Sequence, residues 1–322
     1  MARYTEPEKH LTLDELNQQT YNNYLYKLSP EHGYNIPAYP RPELHVTHVS
    51  HSTDLEALEG IRADGGFRDP IDRTPKVVWF RLTVTPDDLR DAEARTMEIV
   101  KPGGVEEEFR PMRAYGGQPR DKEFLSKFAS SPAFLSSSRY GSYRFTFDLR
   151  DVLDKYSEQF CGGRSPVMRR WKTQLYKQEV MYAVLVHSPH QNKKFKRFPR
   201  LEKTPDNICA FRDGPKPYFL WRPQAMCGTH RFKLLDSGDT VSIPKEFFVW
   251  DHVALALVVD DQVLQFSGNK LQKSLRFCER GKRQVRHDVT FEPYGTANKV
   301  VHELWPYSKA LQRFDLSHLH IL

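Results

Sequence analysis

The sequence predicts an α+β fold in which a mixed or mostly antiparallel sheet is interleaved with short helices. Three observations carry this expectation. Apolar, β-branched runs recur from residue 44 to the end of the chain. Segments with clear helix-start signals sit between the early runs only. Neither internal repeats nor heptads are present, which sets aside solenoids and coiled coils. The 322 residues suffice for one large domain or two modest ones.

The elements follow in order. "TLDELNQQTYNNYLYKL" (12–28) opens on a capping box, Thr12 with Glu15, and predicts a helix. "SPEHGYNIPAYPRPE" (29–43) carries four prolines and reads as a linker or wrapping arm. "LHVTHV" (44–49) alternates as a strand does. Thr53 and Glu56 then form a second capping box, before an apolar stripe of Leu55, Leu58 and Ile61 that Gly65-Gly66 ends. "KVVWFRLTV" (76–84) is a strand by its β-branched and aromatic content. Thr85 and Pro86 mark the next helix as N-cap and first helical residue.

Residues 101–120 are rich in Gly, Pro and charge and read as a loop. From 130 the chain passes from a Ser-rich turn through a strand into a helix. "EVMYAVLVHSP" (179–189) is apolar without alternation, which predicts burial on both faces. Further strand signals follow in "PYFLWRP", "THRFKLL" and "FFVWDHVALALVVDDQVLQF", the last expected to turn as a hairpin at Asp260-Asp261. These signals divide the chain into an N-terminal helix and arm (1–43), a first domain (44–204) and a β-rich region (205–322) that extends that domain or completes its sheet.

Bulk composition excludes several classes. No apolar run approaches the roughly 18 residues a membrane span needs, so no membrane partner is expected. "MARYTEPEKH" has no apolar core of a secretory signal. Cys161, Cys209, Cys227 and Cys278 are scattered, unlike a disulfide framework, and the reading is of a cytoplasmic or nuclear protein. "CGTH" (227–230) has a metal-ligand spacing but no second close pair, so no metal is expected. The net charge of +7 favours an acidic partner, and it concentrates in 168–172, 190–203 and 279–287. Asp251-His252 could serve acid–base chemistry, although no nucleophile elbow accompanies it.

The chemistry-bearing residues fall into four pieces. Three histidines, His45, His48 and His51, stand within seven residues just before a helix. "VVWF" supplies Trp79-Phe80, "SSRYG" supplies Tyr140-Gly141, and Glu179 opens a continuous apolar strand where an unpaired carboxylate is costly to bury. In this order the pieces resemble the ADP-ribosyltransferase superfamily, in its poly-ADP-ribose polymerase-like and DarT-like branches. "HVSHSTDLEALEGI" is similar to the first family motif, with His48 and Ser50 in the motif places; in the polymerase-like spacing His51 and Thr53 take them. Trp79-Phe80 departs from the family's usual Tyr-Phe, and "LYKQEVMYAVLV" puts Glu179 in the catalytic position. The resemblance covers about 44–190.

It implies a split sheet and a mono-ADP-ribosyltransferase that takes NAD as substrate and a protein or nucleic acid as acceptor. Glu179 would stabilise the ribosyl cation, His48 (or His51) and Ser50 would hold NAD, and Trp79 and Tyr140 would wall the nicotinamide. The competing expectation is a catalytically silent module of the same fold that binds RNA or DNA through its basic segments. Alternation along one unbroken strand puts His48 and Ser50 on one face and His45 and His51 on the other.

Overall fold

A computed structural model describes residues 42–69, 71, 75–100, 137–176, 179–201, 208–223, 231–233, 240–242, 249–281, 289–306 and 310–313. The expected helix at 12–28, the proline-rich arm up to residue 41, the loop at 101–120 and the "CGTH" stretch lie outside these residues. Seven strands form the main sheet. They are β2 (His48–Thr53), β4 (Val77–Thr83), β5 (Tyr143–Asp148), β6 (Val167–Tyr176), β7 (Glu179–His187), β12 (Val249–Val258) and β14 (Leu275–Phe277), in the order β14-β5-β2-β4-β12-β7-β6. The sheet is mixed: β12 runs parallel to β7, and every other neighbouring pair is antiparallel.

Smaller sheets flank it. β1 (Leu44–Val46) joins β9 (Tyr218–Trp221) and β8 (Cys209–Arg212). β10 (Arg231–Lys233) pairs with β11 (Thr240–Ser242), and β3 (Gly66–Phe67) with β13 (Leu264–Gln265). The helices are α1 (Leu55–Asp64), α2 (Pro86–Val100), α3 (Leu149–Phe160), α4 (Gly268–Ser274) and α5 (Tyr294–Leu304). No helix among the described residues is long and apolar enough to cross a membrane.

Local chemistry explains the element ends. Asp54, one residue later than expected, caps α1 by accepting from the Ala57 amide, and Gly65 closes it at φ +67°. At α2 the cap is reciprocal: Thr85 Oγ1 accepts from the Asp88 amide and Asp88 Oδ2 from the Thr85 amide. One expectation is corrected. The chain does turn at Asp260-Asp261, but the following strand, β13, pairs with β3 and not with β12. Both edges of β12 are already occupied by β4 and β7, so it has no edge for a returning hairpin partner.

The two faces of the sheet differ. Val49, Phe80, Leu82, Phe145, Phe147, Val184 and Leu255 point into the larger core, to which all five helices contribute buried residues such as Leu58, Leu89, Val152, Leu271 and Val301. On the second face Val77, Ala183, Leu185, Ala256 and Val258 pack beneath Trp171, Phe195 and Phe198. β7 and β12 are thus buried on both faces, as unalternated apolar strands require. Tyr156 on α3 clamps their parallel pairing. Its hydroxyl donates to the Val258 carbonyl at 2.6 Å and lies 3.3 Å from that of Val186, and burial raises its pKa well above the phenol range. Tyr156→Phe should therefore cost about 1–2 kcal/mol in denaturant unfolding, with the slope against denaturant unchanged.

Candidate functional site

The second face of the sheet carries a polar group on β2, β4 and β5, beside its apolar half. The register puts His48 between Thr83 and Asp148, Ser50 between Arg81 and Thr146, and Ser52 beside Arg144. Thr83 Oγ1 donates to Ser50 Oγ at 2.7 Å, and Arg81 Nε donates to the same oxygen at 3.3 Å. Arg144 Nε donates to Ser52 Oγ at 3.2 Å and Arg144 Nη2 to the Ser137 carbonyl at 2.7 Å. Ser50, Arg81, Thr83 and Arg144 are all buried. Half-buried His48 stands at the edge of this group, its Nδ1 3.0 Å from Thr47 Oγ1 and its Nε2 3.4 Å from Asp148 Oδ1.

The three histidines have three environments. A break at Thr47 places His45 in β1, outside the main sheet, where it stacks on Tyr218 at 4.5 Å and its Nε2 meets Glu43 Oε1 at 2.8 Å. The expectation of one unbroken strand from 45 to 51 is corrected by that break. His48 and Ser50 share the polar face. His51 takes the opposite one: its Nδ1 donates to the Trp79 carbonyl at 2.8 Å and its ring packs on Phe67 and Phe80. Burial lowers its pKa against the opposing effect of that hydrogen bond, which suits a neutral, core-facing imidazole.

The remaining candidates spread along the sheet. Trp79, half-buried on the second face, lies parallel to Trp171 with ring centroids 5.4 Å apart, so one of its faces is already stacked. Tyr140 sits at the far end of β2 from His48, because Gly141 presses against the Thr53 carbonyl and Asp54 amide. The five-residue rise between His48 and Thr53 is roughly 17 Å, so His48 and Tyr140 are not brought together. Glu179 begins β7, and β12 separates its strand from that of Trp79. Three strand spacings, about 14 Å, lie between β2 and β7.

Arg81 and Thr83 went unnoticed in the sequence. The signal was present in "WFRLT", where polar residues take alternate positions of an otherwise apolar strand and so share the face of Trp79. A shallow depression of about 350 Å3 lies elsewhere, lined by Asp54, Glu56, Glu59, Glu292, Leu55 and Thr290. Its carboxylates have the wrong sign for an anionic ligand. Among the described residues no cluster of His, Cys, Asp and Glu has the makings of a metal site.

A second charged feature is the basic segment after β7. Buried Arg169 holds it by two bonds, Nη1 to the Phe198 carbonyl at 2.7 Å and Nη2 to Asn192 Oδ1 at 3.0 Å, while its Nε donates to His187 Nε2 at the end of β7 at 2.8 Å. His187 Nδ1 then donates to the Ser188 carbonyl at 2.8 Å. Burial, aided by the charges of Arg169 and Arg200, pushes His187 down to about 4 against the opposing Ser188 bond. No protein-family model matches the chain, nor does any curated protein or solved structure.

Two outcomes follow from this geometry. Gly141 has φ +121°, and a Cβ there would meet the Thr53 carbonyl oxygen at 2.2 Å. Gly141→Ala should destabilise the fold by more than about 2 kcal/mol in chemical unfolding. His187 binds its proton more weakly when folded, so falling pH favours the unfolded chain between about 6.5 and about 4. Melting temperature should drop across that window, and His187→Gln, which takes up no proton, should flatten the drop.

Proposed function

We propose that the chain is an ADP-ribosyltransferase-type protein that takes NAD on the second face of its sheet and transfers ADP-ribose to a protein or nucleic-acid acceptor. The observation that carries this reading is the buried Ser50–Thr83–Arg81 group with His48 beside it and Trp79 on the same face. Its donor set suits a dinucleotide. Hydroxyls and a half-buried imidazole match ribose hydroxyls, a guanidinium matches a pyrophosphate, and an indole offers a flat face for an aromatic ring of the dinucleotide. The strand order supports the same reading, since the His strand β2, helix α1 and the aromatic strand β4 follow one another and β2 pairs directly with β4.

In the reaction the bond between nicotinamide nitrogen and ribose C1′ breaks, and nicotinamide leaves with the electron pair. The ribose takes on oxocarbenium character, and an acceptor nucleophile attacks C1′ and gives up its proton. A carboxylate near the ribose stabilises the cation. In this reading Glu179 supplies it from the N-terminal end of β7, which requires NAD to cross β12 at its Val249 end, away from the stretch that Trp171, Phe195 and Phe198 cover. His48, Ser50 and Thr83 orient the ribose. Arg81 holds the diphosphate. Trp79, stacked on Trp171, is level with Leu185, six residues or about 20 Å along the sheet from Glu179, so in this reading its ring serves the adenine end of NAD and not the nicotinamide end expected from the sequence.

The test is incubation of the purified chain with adenylate-labelled NAD, with cell lysate or nucleic acid supplied as acceptor. Nicotinamide release and label transfer are expected. Ser50→Ala should weaken NAD binding in calorimetry, while Glu179→Gln should lower turnover about 10²–10³-fold and leave binding in place. NAD bound without release would identify a catalytically silent relative. Neither binding nor release would overturn the reading.

A further inference from the structure

We infer that the segment from His190 to Arg200 is a preformed docking ridge for the phosphate backbone of duplex nucleic acid. This inference does not depend on NAD turnover. Lys193, Lys194, Lys196, Arg197 and Arg200 are all exposed, and no Asp or Glu occurs from 190 to 201. A solvated charge run has no fixed shape, but this one does. Phe195 and Phe198 are buried in the second core, and Arg169 binds the Phe198 carbonyl and the Asn192 side chain from below. Alternate anchoring inward leaves the cations pointing out. Arg164 extends the ridge at one end, its Nη2 2.6 Å from His190 Nε2.

The pattern of partners says what the ridge binds. Among the described residues only Lys194 of the five cations has a carboxylate partner, Asp260 Oδ1 at 3.4 Å. The rest stay available for a polyanion, whose affinity comes from released counterions. A membrane surface is disfavoured because both aromatic side chains are turned into the core, which leaves nothing apolar to insert. An acidic protein is disfavoured for a related reason, since protein interfaces are anchored by buried aromatic and apolar contacts that the ridge does not present. Single strands bind largely by stacking bases on exposed rings. With Phe195 and Phe198 buried, that contribution is missing, so the denser charge of a duplex is favoured and its sequence is not read.

Fluorescence anisotropy with a labelled 20-base-pair duplex, titrated at several salt concentrations, tests the inference. Lys193→Gln, Lys196→Gln and Arg200→Gln combined should flatten the slope of log affinity against log salt by about 2.7, at about 0.9 per lost phosphate contact. Asp260→Asn should tighten binding several-fold by freeing Lys194; Asp260 sits at φ +49°, a conformation Asn tolerates, so the turn is kept. An unchanged slope in the triple variant would overturn the inference and pass the charge to another basic run. Tighter binding of an oligo-dT single strand of equal length would overturn the duplex assignment. Equal competition by polyglutamate of matched charge would overturn the nucleic-acid assignment in favour of an acidic protein.

Discussion

The pairing of β12 on both its edges is the constraint on which the rest of the structure depends. Its antiparallel ladder with β4 and its parallel ladder with β7 join two groups of strands that otherwise share no edge, β14-β5-β2-β4 and β7-β6. Ala254 meets Arg81 on one side and Ala183 on the other, so a late segment closes the gap between two earlier ones. Such non-local pairing gives no reward until long loops have closed, which favours slow assembly. The Tyr156 hydroxyl, set against the carbonyls that end β12 and β7, ties the helix layer to that junction.

From this constraint follows the contrast between the two faces. The five helices among the described residues gather on one side and leave the other to a mixture of aromatic cover and polar groups. Over β12, β7 and β6 the second face is sealed by Trp171, Phe195 and Phe198. Over β5, β2 and β4 it holds Arg144, Ser52, Thr146, Ser50, Arg81 and Thr83 in adjacent register. Buried guanidiniums and hydroxyls carry a desolvation cost that a purely structural face would avoid by using apolar residues. Their concentration on three neighbouring strands is why the proposed ligand site is put there.

Sequence alone made the local elements legible. The reciprocal Thr85–Asp88 cap, the Gly65 stop and the two-faced burial of β7 are short-range consequences of residue type, and each is readable from a few neighbours. Strand order is not local. Nothing in "EVMYAVLV" says that β12 lies between it and β4, so Glu179 and Trp79 read as neighbours when they are two strands apart. The histidine cluster misleads for the same reason. The break at Thr47 is made by β1 pairing with β9, some 170 residues along the chain, and it separates His45 from the strand that carries His48 and His51. The polar group was half legible: Ser50 was read from the motif resemblance, whereas Arg81 and Thr83 needed only the parity of β4.

The two charged features occupy separate strands, which makes the two proposed functions separable. The Ser50–Thr83–Arg81 group belongs to β2 and β4, and the ridge is anchored through Arg169 and His187 to β6 and β7. Between β2 and β7 the two intervening strands set a distance of about 14 Å. A dinucleotide held on the first group and a duplex on the ridge would therefore share no residue, yet lie on one face of one sheet. Both proposed ligands are anionic, so binding of one would oppose the other through space, more strongly at low salt than at high. The small floor of Ala183, Ala254 and Ala256 lies between them. All three are buried, Ala183 and Ala256 beneath Trp171, Phe195 and Phe198, so that cover stands between the two proposed ligands and holds them apart.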